Sequence, residues 1–205
     1  MLKDTNGGNS VKSSLLDGIY KKNTLLVSGL VIAPAVFVAN TVYKSLALIF
    51  TFSIITFLTV IISSFISRNI VYTIRIILYT LIAALVYVPI ASISMQVFPE
   101  YVINEMGIML PLLITNSLIM TKTELRFFRQ KKNKMIFDVL SYIVGFDIVV
   151  FILGFLREVL GTGSISNKIL GVPLTFPVLV YPFGGFLLIG LCAALFRKVQ
   201  SYFSE

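Results

Sequence analysis

One carboxylic acid in the middle of a long apolar run is the first candidate for chemistry in this sequence. Asp147 lies in Gly145-Phe146-Asp147-Ile148, about a dozen residues into the run. A carboxylate is costly in hydrocarbon unless it is protonated or paired, so a functional role is the default interpretation. The candidate roles are a proton- or cation-binding acid, or the partner of a cation on a neighbouring subunit. The structural alternative is a protonated Asp that bonds to a neighbouring helix.

Two proline-containing segments form the second candidate site. Each has a Gly, then a Pro, an apolar run, and an Asn followed by a hydroxyl residue; the pairs are Pro34 with Asn40 and Pro111 with Asn116. Proline removes a backbone donor, and unwound backbone is tolerated in lipid only where it is buried in protein or lines a cavity. The pattern predicts a broken-helix site in which the two Asn side chains satisfy freed backbone groups. The alternative is a pair of kinked helices with no site between them.

The composition excludes several other kinds of site. The sequence has no His and a single cysteine, Cys192, which excludes His-ligated haem, His-based zinc, a Ser-His-Asp triad and a disulfide framework. Cys192 is interpreted as a small apolar filler. A phosphate-loop interpretation of Gly161-Thr162-Gly163 is weak, and these residues are expected to end a helix. The sequence therefore predicts no catalytic residue and no metal ligand.

The elements that position these residues are apolar spans. Of 205 residues, 57% are hydrophobic and 13% are charged, whereas a soluble domain usually carries about a quarter charged residues. Runs of about 20 apolar residues are long enough to cross the hydrocarbon core as helices. We predict an all-α integral membrane protein with six transmembrane helices, the first and fourth of them broken, near residues 24–43, 45–66, 76–96, 107–121, 135–156 and 176–196.

The net charge of +8 indicates orientation rather than nucleic-acid binding. Most Lys and Arg residues lie in the N-terminal tail, the second and fourth connections and the C-terminus, so the positive-inside rule predicts that both termini are cytoplasmic. The predicted domains are a cytosolic tail with an interfacial segment, a six-helix membrane domain and a cytosolic C-terminal tail, at residues 1–23, 24–196 and 197–205.

Charged residues at the ends of the spans are interpreted as anchors. Arg157 and Glu158 are predicted to anchor the fifth span at the outer interface, and Arg75 is predicted to snorkel at the cytosolic end of the third. The basic run 122–134 is interpreted as a loop on anionic headgroups, with an acidic cytosolic partner as the alternative.

The two proline-containing segments also predict an internal repeat. Each is followed by two ordinary spans, which gives repeat halves of about 24–96 and 107–196. Three spans precede the second copy, so the two copies cross the membrane in opposite directions. Inverted repeats with broken helices build sites at mid-membrane depth in several membrane proteins.

The order and spacing of several motifs resemble the Rnf/Nqr membrane subunits, in particular the E-type subunit of Rnf complexes and its D counterpart in the sodium-pumping NADH:quinone oxidoreductase. The resemblance extends from about Leu16 to the C-terminus. It rests on Gly18-Ile19-Tyr20-Lys21-Lys22-Asn23, the region Gly29–Pro34, Ile74-Arg75-Ile76, the region Met106–Asn116, Asp138 and the region Leu156–Gly163.

The resemblance implies a six-span inverted-repeat subunit that pairs with a homologous subunit of opposite topology inside a larger flavoprotein and iron–sulfur complex. It also implies a 2Fe–2S cluster in the membrane, with two cysteines from each of the paired subunits as ligands. Here the sequence departs from the family, because the two cysteine positions correspond to Ala33 and Ser117. The family position of Asp147 is an uncharged Thr. No cofactor is therefore predicted for this chain.

The sequence thus predicts a multi-pass subunit of an Rnf/Nqr-like electron transport complex, coupled to ion translocation across the bacterial cytoplasmic membrane. Such a chain is at most a non-catalytic subunit of an oxidoreductase. One alternative is a transporter of a small solute or cofactor built on the same scaffold and using Asp147. Another is a scaffold subunit for a peripheral redox enzyme. The expected partners are the homologous subunit, other membrane and flavoprotein subunits and lipid, with no nucleic acid.

Overall fold

The computed structural model of the chain describes residues 23, 25–67, 69–130, 132–165, 168–169 and 175–202. Most of this part of the chain is helical. It contains seven α-helices: α1 Ile32–Val38, α2 Val42–Ser63, α3 Tyr72–Val97, α4 Glu100–Met106, α5 Thr123–Leu125, α6 Lys132–Thr162 and α7 Pro182–Tyr202.

Short irregular helices connect several of these elements. Tight turns of three residues per turn form at Gly107–Met109, Pro111–Thr115, Phe127–Arg129 and Pro177–Val180, and a wider π-helical turn forms at Leu118–Lys122. A two-residue antiparallel pair, Ser164–Ile165 with Lys168–Ile169, follows α6. The interfacial segment predicted before residue 23 lies outside the described residues.

Four of the described helices, α2, α3, α6 and α7, are long and apolar enough to cross a membrane. Two shorter helical segments, Glu100–Met109 and Pro111–Leu125, meet at an angle of 44°. If this bent pair crosses the membrane once, the described residues contain five candidate spans. The chain is therefore an all-α membrane protein with four or five candidate spans. Six spans and an inverted relation between the halves stay predictions. The first predicted span contains only the seven-residue α1 and the first residues of α2.

The ends of the long helices have local causes. The Thr41 side chain accepts a hydrogen bond from the Lys44 N–H and caps the start of α2. Gly163 has a left-handed φ of 66°, which ends α6 after Thr162. The last helix begins at Pro182, six residues later than the predicted start of 176, because Pro177–Val180 forms a separate turn. It runs to Tyr202, so most of the predicted C-terminal tail is helical.

Helix α2 packs against both α3 and α6. The rings of Phe52 on α2 and Phe146 on α6 lie 4.0 Å apart between centroids. On the side towards α3, the hydroxyls of Thr51 and Ser94 are hydrogen-bonded at 3.1 Å. Gly154 allows α6 to approach the start of α2 closely, because a Cβ built there would lie 1.8 Å from the Ser45 Oγ. The buried core of the described chain therefore centres on α2.

The connection before α6 is attached to two helices through ion pairs. Arg126 binds Asp138 on α6 with its Nε 2.6 Å from Oδ2, and the Asp138 side chain is fully buried. Glu124 accepts hydrogen bonds from Arg75 and Tyr79 on α3. Arg75 was predicted to snorkel at the cytosolic end of its span, but its guanidinium instead forms an ion pair with Glu124. The basic run 122–134 is only partly available to headgroups, since Arg126 bonds to the protein.

Candidate functional site

The two proline-containing segments meet at a shallow cavity of about 320 Å³. The Ser117 Oγ accepts a hydrogen bond of 3.1 Å from the Val31 N–H, which joins one segment to the other. Val31 itself has a left-handed φ of 60°, a rare conformation for a β-branched residue. The cavity lining consists of Gly29, Val31, Ile32, Ala33, Pro34, Leu112, Thr115, Asn116 and Ser117.

Asn116 lies at the break in the second of these segments. Its backbone is extended, between the turn Pro111–Thr115 and the turn Leu118–Lys122. The side-chain Nδ2 donates to the Leu113 carbonyl and to the Thr56 hydroxyl, and Oδ1 accepts from the Ile119 N–H at 2.8 Å. Asn116 therefore satisfies backbone groups on both sides of the break and ties the segment to α2.

The first segment is organised differently. Pro34 is buried inside α1, and Asn40 follows the end of that helix. The Asn40 Oδ1 is buried and has no hydrogen-bond partner among the described residues. Asn40 and Asn116 thus do not play equivalent roles, although the sequence pattern pairs them. Pro111 begins the tight turn that leads to Asn116, and its side chain is exposed.

The residue types in the cavity do not fit an iron–sulfur cluster. Such clusters are held by thiolates, and the structure places Ala33 and Ser117 in the same cavity lining. Ala33 has no donor atom, and the Ser117 hydroxyl already accepts the Val31 N–H. Cys192 lies on α7, where it lines two apolar cavities instead. Among the described residues, no group of three or more His, Cys, Asp or Glu side chains could hold a metal ion.

A buried arginine forms hydrogen bonds with the backbone at the break between α1 and α2. Arg157 on α6 is 0% exposed and donates hydrogen bonds to five backbone carbonyls. Its Nη1 bonds to Val36 and Ala39, at 2.5 and 2.8 Å, where α1 ends. The other donors bond to the segment before α7, at the carbonyls of Leu179, Val180 and Tyr181. One guanidinium therefore satisfies unwound backbone from two distant parts of the chain.

The neighbouring residue holds the other side of the same break. The Glu158 Oε2 accepts a hydrogen bond of 2.6 Å from the Val42 N–H, the first residue of α2. A carboxylate at a helix N-terminus satisfies a free N–H and interacts favourably with the helix dipole. Arg157 and Glu158 thus bind opposite sides of the break between α1 and α2. We call this pair the 157–158 clasp.

The prediction that Arg157 and Glu158 anchor the fifth span at the lipid interface is wrong. Both are buried, because α6 continues past them to Thr162 and the break packs over them. Gly185 on α7 leaves room for the guanidinium, since a Cβ there would lie 3.0 Å from the Arg157 Cζ. The sequence signal for this arrangement was weak. It consisted of adjacent opposite charges near the end of an apolar run, together with the glycine pair at 184–185.

Asp147 lies away from the cavity and is not part of its lining. Its Oδ2 accepts a hydrogen bond of 2.8 Å from the Ser53 hydroxyl on α2. Its Oδ1 is buried and has no hydrogen-bond partner within the described part of the chain. The structure therefore does not bring all the predicted site residues together. The cavity is lined by Ala33, Pro34, Asn116 and Ser117, whereas Asp147 lies between α2 and α6. Asn40 and Pro111 lie outside the cavity lining, after the end of α1 and at the exposed start of its turn.

Comparison with known proteins gives one family match. The family described as Rnf-Nqr subunit, membrane protein, matches residues 11–193. This range includes the cavity, the 157–158 clasp and Asp147.

Individual relatives agree with the family match. The E subunit of the ion-translocating oxidoreductase complex of Cronobacter sakazakii is 31% identical over 162 residues, which are 78% of this chain and 69% of that protein. Its counterpart in Haemophilus ducreyi is 28% identical over 165 residues, or 80% of this chain and 71% of that protein. The counterpart in Buchnera aphidicola subsp. Acyrthosiphon pisum is 26% identical over 212 residues, covering 96% of this chain and 92% of that protein.

Proposed function

Because this chain belongs to the Rnf-Nqr family of membrane subunits, we propose that it is the E-type component of an ion-translocating oxidoreductase complex in the bacterial cytoplasmic membrane. The family match carries this proposal, since it extends over most of the chain and includes both interrupted segments. The apolar helices α2, α3, α6 and α7 support a multi-pass position in the membrane.

In this proposal, the chain itself supplies no ligand to an iron–sulfur cluster. The residues of the cavity support this, because the two positions where the resemblance implies cysteine ligands are Ala33 and Ser117. A serine hydroxyl is a far poorer iron ligand than a thiolate at neutral pH. In this proposal the chain contributes the membrane scaffold and part of an ion path, and electrons pass through other subunits.

The proposed partner is a homologous membrane subunit of opposite topology. Helices α3 and α7 support a lateral interface, because each has a broad face of exposed apolar side chains. On α3 this face includes Ile77, Leu81, Leu85 and Val88, and on α7 it includes Leu187, Leu191 and Leu195. Lipid and a second membrane protein both fit such faces. The excess of basic residues in alternate connections supports cytoplasmic termini.

Purification of the tagged chain from native membranes under anaerobic conditions tests this proposal. We expect other membrane subunits and a flavin-containing subunit to copurify in stable ratios, as identified by mass spectrometry. After the chain is separated from its partners, iron and acid-labile sulfide should be absent from it. Purification of the chain as a single species would contradict membership of a complex, and stoichiometric iron in the isolated chain would contradict the loss of cluster ligands.

A further inference from the structure

The pair Asp147 and Ser53 lies at the centre of two spanning helices. Asp147 is 15 residues from each end of α6, Lys132–Thr162, which corresponds to about 22 Å of helix on either side. Ser53 is 11 residues after the start of α2, Val42–Ser63, and 10 before its end. Their hydrogen bond of 2.8 Å joins the two helices at this depth.

Charged groups on the surrounding helices are bound to other partners or lie near the helix ends. On α2, Lys44 is nine residues before Ser53 and pairs with Glu105. On α6, Asp138 pairs with Arg126, and the clasp residues bind backbone. The remaining titratable side chains described on these helices and on α7 are Tyr43, Lys132, Lys134, Tyr142, Cys192, Arg197, Lys198 and Tyr202. Within the described residues, the hydrogen bond to Asp147 comes from Ser53 and from none of these groups.

The neighbours of Asp147 towards the membrane are apolar. Val144, Ile148 and Phe151, on its own helix, are exposed on the outer surface. On the inner side, Phe146 packs against Phe52. The carboxyl group therefore has one hydroxyl donor, one oxygen without a described partner, and apolar side chains on both sides. An ionised carboxylate without a counter-ion is strongly disfavoured in such a place.

We propose that Asp147 and Ser53 form a proton-binding site at the centre of the membrane, in which the Asp147 carboxyl binds and releases a proton and the Ser53 hydroxyl stabilises the form without it. A serine hydroxyl donates to a carboxylate oxygen, so it favours the ionised state and lowers the cost of proton release. The site is built by two helices of this chain alone. It does not depend on membership of a complex, so its failure and that of the proposed function are distinguishable.

A hydrophobic carbodiimide tests this proposal, because it reacts with protonated carboxyl groups in apolar surroundings. The carboxyl oxygen bonds to the central carbon of the reagent and the carboxyl proton moves to a reagent nitrogen. Transfer of the acyl group to nitrogen then gives a stable N-acylurea. Native membranes and the purified chain are treated with dicyclohexylcarbodiimide over a range of pH, and peptide mass spectrometry locates the addition of one reagent molecule.

We expect modification of Asp147 in both preparations, with more modification as the pH falls. Asp147→Asn should abolish it. Ser53→Ala should extend the modification to higher pH, because the ionised carboxylate loses its donor. Ser63→Ala is the matched control, since Ser63 is on the same helix and its buried hydroxyl has no partner in the described structure. This control should leave the pH profile unchanged, whereas a general loosening of α2 would alter both variants.

Three results would overturn the proposal. The first is an unmodified Asp147 in a preparation where the reagent labels a known intramembrane carboxyl of another protein. The second is protection of Asp147 by sodium ions at constant pH, which would indicate a metal-cation site. The third is modification of the purified chain only, which would show that another subunit pairs with this carboxyl in native membranes.

Discussion

The Ser117 hydroxyl accepts a hydrogen bond of 3.1 Å from the backbone N–H of Val31. The family resemblance implies a thiolate ligand at position 117, but here the side chain joins the two interrupted segments instead. The hydroxyl satisfies the donor of a residue in a left-handed conformation. The Ser117 side chain therefore has a structural role in the cavity, whose lining also includes Ala33.

The first prediction concerns this cavity. The double variant Ala33→Cys with Ser117→Cys places two thiols in one lining, which is the half-set of ligands that the resemblance implies. In the assembled complex, we expect more iron and acid-labile sulfide in the double variant than in the wild-type protein after anaerobic purification. Each single variant is a control and should stay at the wild-type level. Equal iron in the wild-type and double-variant proteins would contradict the prediction.

The second prediction concerns Arg157. Lysine has three donors and no planar fork, so Arg157→Lys leaves at least two of the five carbonyls without their donor. We expect a loss of about 3 kcal/mol in the free energy of unfolding, since hydrogen bonds to charged groups contribute about 1.5–3 kcal/mol each. Detergent-driven unfolding measures this loss. Arg197→Lys, at an exposed position on α7, should change the stability little.

The third prediction concerns Glu158. In Glu158→Ala the Val42 N–H loses its acceptor at the start of α2. We expect a stability loss of about 1–2 kcal/mol, with Glu158→Gln intermediate because its amide oxygen still accepts a hydrogen bond. Thermal unfolding in detergent measures the order of the three proteins. Glu100→Ala, an exposed residue in the first turn of α4, provides the comparison. An equal effect at Glu100 would show that charge alone, rather than capping, is responsible.

The fourth prediction compares two glycines in spanning helices. A Cβ at Gly154 would lie 2.9 Å from the Ser45 Cβ and 3.1 Å from the Thr41 carbonyl oxygen, whereas a Cβ at Gly190 meets nothing within 4 Å. Gly154→Ala should therefore lower stability by about 1–3 kcal/mol through overpacking. Gly190→Ala should be neutral or stabilising, since alanine is the better helix former. Unfolding midpoints of the two variants that do not differ would contradict the close packing of α2 and α6.

The spanning helices could be predicted from sequence because each depends on a local property. The runs predicted at 45–66, 76–96 and 135–156 correspond to α2, α3 and α6, since a long apolar run must form a helix in lipid. The bounds agree within four residues except at the end of α6, which continues six residues past 156. The irregular backbone at Pro111 could also be predicted, because proline acts on its own turn. The break in the first predicted span lies instead after Val38, because Pro34 is accommodated in the first turn of α1, where its missing N–H is not needed. The prediction that Gly161-Thr162-Gly163 ends a helix is confirmed, because α6 ends at Thr162 and Gly163 has a left-handed φ of 66°. The start of α2 depends on the Thr41 side-chain cap, which hydrophobic periodicity does not show.

The partners of buried polar residues could not be predicted in the same way. Arg157 binds backbone carbonyl groups, and every residue carries one, so no residue type identifies the partner. Its placement near the end of an apolar run is equally typical of an interfacial anchor, so the sequence does not distinguish the two roles. The ion pair between Arg75 and Glu124 could not be predicted either, because Glu124 is distant in sequence and most of the charged residues around it are basic. The pairing of Asp147 with Ser53 likewise depends on the packing of α2 against α6.

The contacts of Arg157 join parts of the chain that are synthesised at different times. Val36 and Ala39 precede Arg157 by 121 and 118 residues, and Leu179, Val180 and Tyr181 follow it by 22 to 24. When the ribosome has made only the first half, the last carbonyls of α1 still lack the donor that the finished protein supplies. The break between α1 and α2 therefore reaches its final state only after α6 has entered the membrane.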